Sequence, residues 1–218
     1  MTLEHVVRPA QVAAERPPLA LLLHGLGADE HDLFGLAPWL DPRLVVVSAR
    51  APMEAQPMGH SWFDIDFGEY PPRIDLDHML ESRDAILGFI AEAASAYGAD
   101  PTRTWLVGFS QGAAMASACA LHRPDLLRGI AAHSGRIPRM LVPQGPLPGL
   151  AGFPVLWQHG NGDPVVPVEF GREARDLLGG LGADVDYCEY PIGHEISEES
   201  AGDLVRWLSA RIDEAGEG

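Results

Sequence analysis

Lysine is missing altogether: every one of the 15 basic side chains in this 218-residue chain is arginine. Without a lysine amine, Schiff-base chemistry and a Ser-Lys dyad are excluded. Cysteine is nearly as scarce. Cys119 and Cys188 are too few for a disulfide framework, and neither has a partner at metal-ligand spacing. No apolar run approaches the length of a membrane span, and Met1 to His5 lacks the basic start of a secretion signal. Basic residues are outnumbered by 31 acidic ones, for a net charge of −16, which argues against nucleic acid and anionic bilayers as partners. These shortages predict a cytoplasmic protein without stable membrane insertion, and the length suits one domain over 1–218.

What is present is a run of strands alternating with helices. Leu19 to Leu23 is a short, wholly apolar run that suits a strand covered on both faces, and Leu44 to Ser48 reads as the next buried strand. Trp105 to Gly108, Gly129 to His133 and Phe153 to His159 follow the same pattern. Asp184 to Tyr190 alternates as a strand nearer an edge should, and Val6-Val7 fits an edge strand. Helices are expected over Asp32–Leu40, Leu76–Tyr97, Ala113–Leu121, Val168–Leu181 and Glu198–Ile212. Ala49 to Arg73 is long and irregular, and its Trp62, Phe63 and Tyr70 argue for a packed, substrate-facing loop. Ile137 to Gly152 reads as surface loop. The expected class is α/β, with a mostly parallel sheet and helices on both faces.

The chemistry concentrates at Gly108-Phe109-Ser110-Gln111-Gly112, where an apolar strand meets a helix of small residues. A serine at so tight a turn is a nucleophile elbow, and a Cβ at Gly108 or Gly112 would collide there. In a parallel sheet, functional groups gather beyond the carboxyl ends of the strands. Asp163 follows one later strand and His194 the next, in the order Ser, Asp, His. Plainer readings stay open for both: Asp163 as a loop cap before Pro164, His194 as a surface histidine. His133 and His159 also end strands but precede their loops, and no His-Glu-x-x-His metal motif occurs. The oxyanion donors expected are the backbone N–H groups of Gln111 and of Leu26, in the loop His24-Gly25-Leu26-Gly27. Gln111 is expected to act through that N–H, its side chain being the more replaceable part. Leu26, Trp62, Phe63 and the neighbourhood of Leu141 are expected to form an apolar acyl pocket.

Five stretches carry a family resemblance over nearly the whole chain: Leu23 to Leu33, Ser61 to Asp64, Gly108 to Gly112, His159 to Pro167 and Gly193 to Ile196. In these the chain resembles the phospholipase/carboxylesterase group of small α/β-hydrolases, which includes bacterial carboxylesterases and acyl-protein thioesterases. The resemblance implies a Ser110-Asp163-His194 triad, no large lid, hydrolysis of small-molecule esters or thioesters without cofactor or metal, and a homodimer. Ala113 departs from the acyl-protein thioesterases, which usually have a glycine there, and Gly193-His194-Glu195-Ile196 looks more like the bacterial carboxylesterases. A short- to medium-chain carboxylesterase is therefore expected. The alternatives are a thioesterase or lysophospholipase, dienelactone hydrolase-like or peptidase chemistry, and a non-catalytic scaffold.

Overall fold

A computed structural model describes residues 1–66, 68 and 72–214; Tyr70 lies outside them. The chain opens with β1 (His5–Arg8), followed by β2 (Pro18–Leu23) and β3 (Val45–Ala49), the last two buried throughout. Two small hairpins come next, β4 (Met53–Glu54) with β5 (His60–Ser61) and β6 (Ile65–Asp66) with β7 (Arg73–Ile74). They precede α1 (Leu76–Tyr97), β8 (Asp100–Phe109), α2 (Gln111–His122) and β9 (Gly129–His133). The chain then forms β10 (Pro154–Gly160), α3 (Val168–Gly180), β11 (Asp184–Tyr190) and α4 (Glu198–Glu214).

Seven strands make the main sheet in the order β1-β3-β2-β8-β9-β10-β11. Only β1 runs antiparallel to its neighbour; every other pairing is parallel. The wholly apolar strand runs follow from this position, because each face of the sheet is covered. Leu19, Leu21 and Leu23 enter the core beneath α1 and α2, while Ala20 and Leu22 enter the one beneath α4. On α4 the buried residues Ser200, Leu204, Leu208 and Ile212 form one stripe at four-residue spacing. α1 begins where the Asp75 side chain accepts from the His78 N–H, and ends at Gly98 in the left-handed region.

Three expectations need correction. Asp32–Leu40 is not an α-helix but a single 3-10 turn, Leu33–Leu36. Gly35 and Pro38 break its apolar period, and Asp32 makes no side-chain cap. The strand expected at Trp105 begins earlier, at Asp100, which pairs with Pro18 across a register shift. The stretch 137–152 is not purely surface: Leu150 is fully buried in the core and its own 3-10 turn, Pro148–Leu150, carries it there.

Candidate active site

Because the strands are parallel, β2, β8, β10 and β11 all deliver their next residues to one edge of the sheet. Ser110 stands between β8 and α2 with φ 54° and ψ −112°, a conformation costly for a residue with a Cβ. Its N–H donates to the His133 carbonyl at 2.8 Å, which ties the turn to β9. The two glycines have different reasons. A Cβ on Gly108 would stand 2.3 Å from the Gly112 carbonyl oxygen, across the elbow. A Cβ on Gly112 would stand 1.9 Å from that of Leu23, so this glycine lets α2 approach β2.

The three residues expected from separate strand ends meet here. Ser110 Oγ lies 2.9 Å from His194 Nε2, and His194 Nδ1 lies 2.7 Å from Asp163 Oδ2. A carboxylate only accepts, so Nδ1 carries the proton and Nε2 faces the serine hydroxyl as acceptor. Asp163 makes the contacts of both readings at once. Its Oδ1 accepts the N–H groups of Val165 and Val166 at 2.9 and 2.8 Å, which caps the loop, while Oδ2 takes the histidine. Burial works against the Asp163 charge, but these hydrogen bonds outweigh it and lower its pKa.

His159 and His133 support the site from beneath. His159 Nε2–H donates to the Val166 carbonyl at 2.8 Å and stands 3.7 Å from Asp163 Oδ2. His133 is hydrogen-bonded to Ser134 and Ser200, and desolvation, with neighbouring His159 and His194, pushes its pKa down to about 3.

The loop after β2 is set by His24. Its Nε2 accepts the Ala51 N–H at 3.0 Å, so the proton sits on Nδ1, which donates to the Gly25 carbonyl at 2.7 Å. In a trans peptide the carbonyl and the following N–H point in opposite directions. Holding the Gly25 oxygen against His24 therefore turns the Leu26 N–H the other way. Among the described residues neither the Leu26 nor the Gln111 N–H has an acceptor, and both residues line one cleft with Ser110. Further along the loop, Asp29, Glu30 and His31 cluster closely enough to suggest a cation. Glu30 is already held by Arg50 in a two-point ion pair, and Asp29 accepts the His31 N–H.

That cleft measures about 350 Å³. Leu26 and Phe63 lie on its wall. Trp62 does not: it is fully buried, and its indole N–H donates to the His24 carbonyl at 3.0 Å. The Gln111 side chain, expected to be the more replaceable part, is itself well engaged. It is 4% exposed, accepts the Trp62 N–H at 2.7 Å and donates to the Phe63 carbonyl at 2.6 Å. Trp62 and Gln111 thus fasten the 61–63 segment against the elbow, a role no sequence period announces. Leu141 is absent from the wall, which Ile65, Ile74, Arg136 and Phe170 complete. A second hollow of about 430 Å³ touches the outer side of His194, but Ser110 is not on its wall.

A family model, Phospholipase/Carboxylesterase, matches residues 3–212. The chain belongs to the phospholipase/carboxylesterase family. It is 30% identical to acyl-protein thioesterase 1 of Kluyveromyces lactis, over 95% of this chain and 98% of that protein. Among solved structures, esterase PE8 is similar with a TM-score of 0.82 at 31% identity, covering 95% of this chain and 98% of that one. The Bacillus cereus carboxylesterase gives 0.83 at 26% identity, over 96% and 94%. Family membership makes the chain an α/β-hydrolase-fold enzyme with esterase or thioesterase activity of the serine-hydrolase type. Among the described residues, no helix is long and apolar enough to cross a membrane.

Proposed function

We propose that this phospholipase/carboxylesterase family member is a carboxylesterase that hydrolyses short- to medium-chain esters through an acyl-enzyme on Ser110. The observation that carries the reading is the hydrogen-bonded chain from Ser110 through His194 to Asp163 on a small apolar cleft. His194 takes the proton as Ser110 Oγ attacks the carbonyl carbon, and Asp163 holds the imidazole tautomer and steadies the imidazolium. The N–H groups of Leu26 and Gln111 receive the oxyanion. His194 then gives its proton to the departing alcohol, and a water molecule repeats the attack to free the acid and Ser110.

The cleft lies near the lower end of the ~300–1,000 Å³ typical of small-molecule sites, which favours compact acyl groups. Ala113, the departure from the thioesterase pattern, is fully buried and off the cleft wall, so it leaves thioester chemistry open to Ser110. Serine at the elbow disfavours dienelactone chemistry, which normally uses cysteine. We propose as well, from the family resemblance, one catalytic domain over 1–218 without a large lid, cofactor-free and cytoplasmic, able to pair as family members often do.

Initial rates on p-nitrophenyl esters from acetate to palmitate, with palmitoyl-thioester and lysophospholipid alongside, test the substrate class. The reading predicts a maximum at short or medium chains, at least about 10⁴-fold lower in a Ser110→Ala protein with unaltered circular dichroism. A maximum at palmitoyl-thioester would replace the carboxylesterase reading with the thioesterase one.

A further inference from the structure

Among the described residues, Arg136 is the one permanently charged side chain on the wall of the Ser110 cleft. Its neighbours there, Phe63, Ile65, Ile74, Val165 and Phe170, are apolar. Arg136 follows directly on Gly135, where a Cβ would stand 3.2 Å from the Ser110 carbonyl oxygen, so its backbone adjoins the elbow. The guanidinium is held at the cleft's side by two contacts. One N–H group of Nη2 donates to the Pro72 carbonyl at 2.6 Å, and the planar head lies over the Phe170 ring at 5.7 Å. Among the described residues no carboxylate lies within ion-pair distance of it; Glu173, the acid nearest in effect, is paired with Arg139. A half-buried guanidinium with five N–H donors and one observed acceptor is a fork awaiting a planar anion. Desolvation lowers its pKa from the usual arginine value, a cost that a bound carboxylate would offset.

From this we infer that Arg136 is a specificity residue, and that the preferred substrates are esters carrying a carboxylate remote from the scissile carbonyl, such as half-esters of short dicarboxylic acids. The inference rests on the ester-hydrolase reading of the Ser110 cleft. Hydrolysis of a half-ester consumes one water and yields the diacid and the alcohol by the steps given above. The chain's charge of −16 gives an anionic substrate no long-range attraction, so recognition has to come from this short-range contact.

The test compares monoethyl adipate, whose carboxylate is on the acyl side, acetoxyhexanoate, whose carboxylate is on the alcohol side, and neutral ethyl hexanoate. In Arg136→Gln, kcat/KM for a charged ester relative to ethyl hexanoate should fall about tenfold or more, mainly through KM, with Arg136→Lys intermediate. The ester whose ratio falls identifies the side on which the carboxylate sits. Calorimetry on Ser110→Ala gives a readout without turnover: monoethyl adipate or acetoxyhexanoate should bind, and the added Arg136→Gln change should abolish that binding. Ethyl hexanoate hydrolysis with both charged-to-neutral ratios unchanged in Arg136→Gln would overturn the anion site and leave the esterase reading intact. Arg136-dependent binding with every ester left unhydrolysed by the unmutated enzyme would do the opposite.

Discussion

At the scale of single residues, the site depends on side chains doing more than their type suggests. Gln111 lines the cleft, where its N–H is the proposed oxyanion donor, and uses its buried amide to fasten Trp62 and Phe63. Gln111→Leu leaves the Trp62 N–H and the Phe63 carbonyl without those partners in a dry setting. It should lower stability by about 2 kcal/mol or more, measured as a shift in the urea midpoint. A midpoint equal to that of the unmutated protein would show the amide to be dispensable. Gly112→Ala should be worse still, since its Cβ would lie 1.9 Å from the Leu23 carbonyl oxygen, a backbone atom of the central sheet. Little soluble, cooperatively melting protein is expected from that variant. That Ser110, Asp163 and His194 meet was legible in the sequence because strand-end placement and chain order constrain them together. The double duty of Gln111 was not, because its partners lie 48 and 49 residues away and share no period with it.

At the scale of elements, the irregular segment between β3 and α1 braces the catalytic edge. Trp62 donates to the His24 carbonyl, Ser61 and Ser82 donate to the carbonyls of Phe63 and Trp62, and the Gln111 side chain closes the set. The aromatics of this segment announced a packed loop, and that much was legible. Which aromatic faced the cleft was not: Phe63 lies on the wall and Trp62 behind it. Trp62→Phe keeps most of the packing and deletes the indole N–H, freeing the His24 carbonyl beside the Leu26 turn. With the loop proposed to hold the oxyanion less firmly fixed, kcat should fall several-fold with KM little changed, at a stability cost of about 1 kcal/mol. A change confined to KM would instead place Trp62 in substrate contact. The long apolar strands were readable for a general reason, since a strand buried on both faces is mostly apolar, with buried polar residues such as Ser48, His133 and Gln158 near its carboxyl end. The 3-10 turn Leu33–Leu36 was misread as a helix because apolar spacing alone does not register what Gly35 and Pro38 forbid.

At the scale of the whole molecule, three histidines lie buried and neutral within the fold. Desolvation is the leading cause that lowers the pKa of His24, His133 and His159. Each would titrate near 6.5 when unfolded, and His133 is held down to about 3 in the fold. Between those values the unfolded chain binds more protons than the folded one, so stability is complete above about pH 6.5 and declines on acidification. For His133 the slope approaches about 1.4 kcal/mol per pH unit between those values, and the lowered pKa values of His24 and His159 act in the same direction. Urea midpoints at pH 7 and pH 5 should show this loss, and His133→Gln should make it shallower. Equal midpoints at the two pH values would contradict the buried neutral assignment. The sheet itself is where sequence and structure agree most closely, because parallel strands gather Leu26, Ser110, Asp163 and His194 at one edge. The walls of the cleft were the least legible part. Arg136 and Phe170 come from distant segments and meet only in the packed molecule.

The most direct test of the central claim, that His194 and Asp163 activate Ser110 as a nucleophile, is peptide-resolved mass spectrometry after exposure to an organofluorophosphonate. A single adduct on Ser110 is expected, formed far more slowly in His194→Ala and absent in Ser110→Ala. No adduct, or one that forms on Ser110 equally fast without His194, would contradict it.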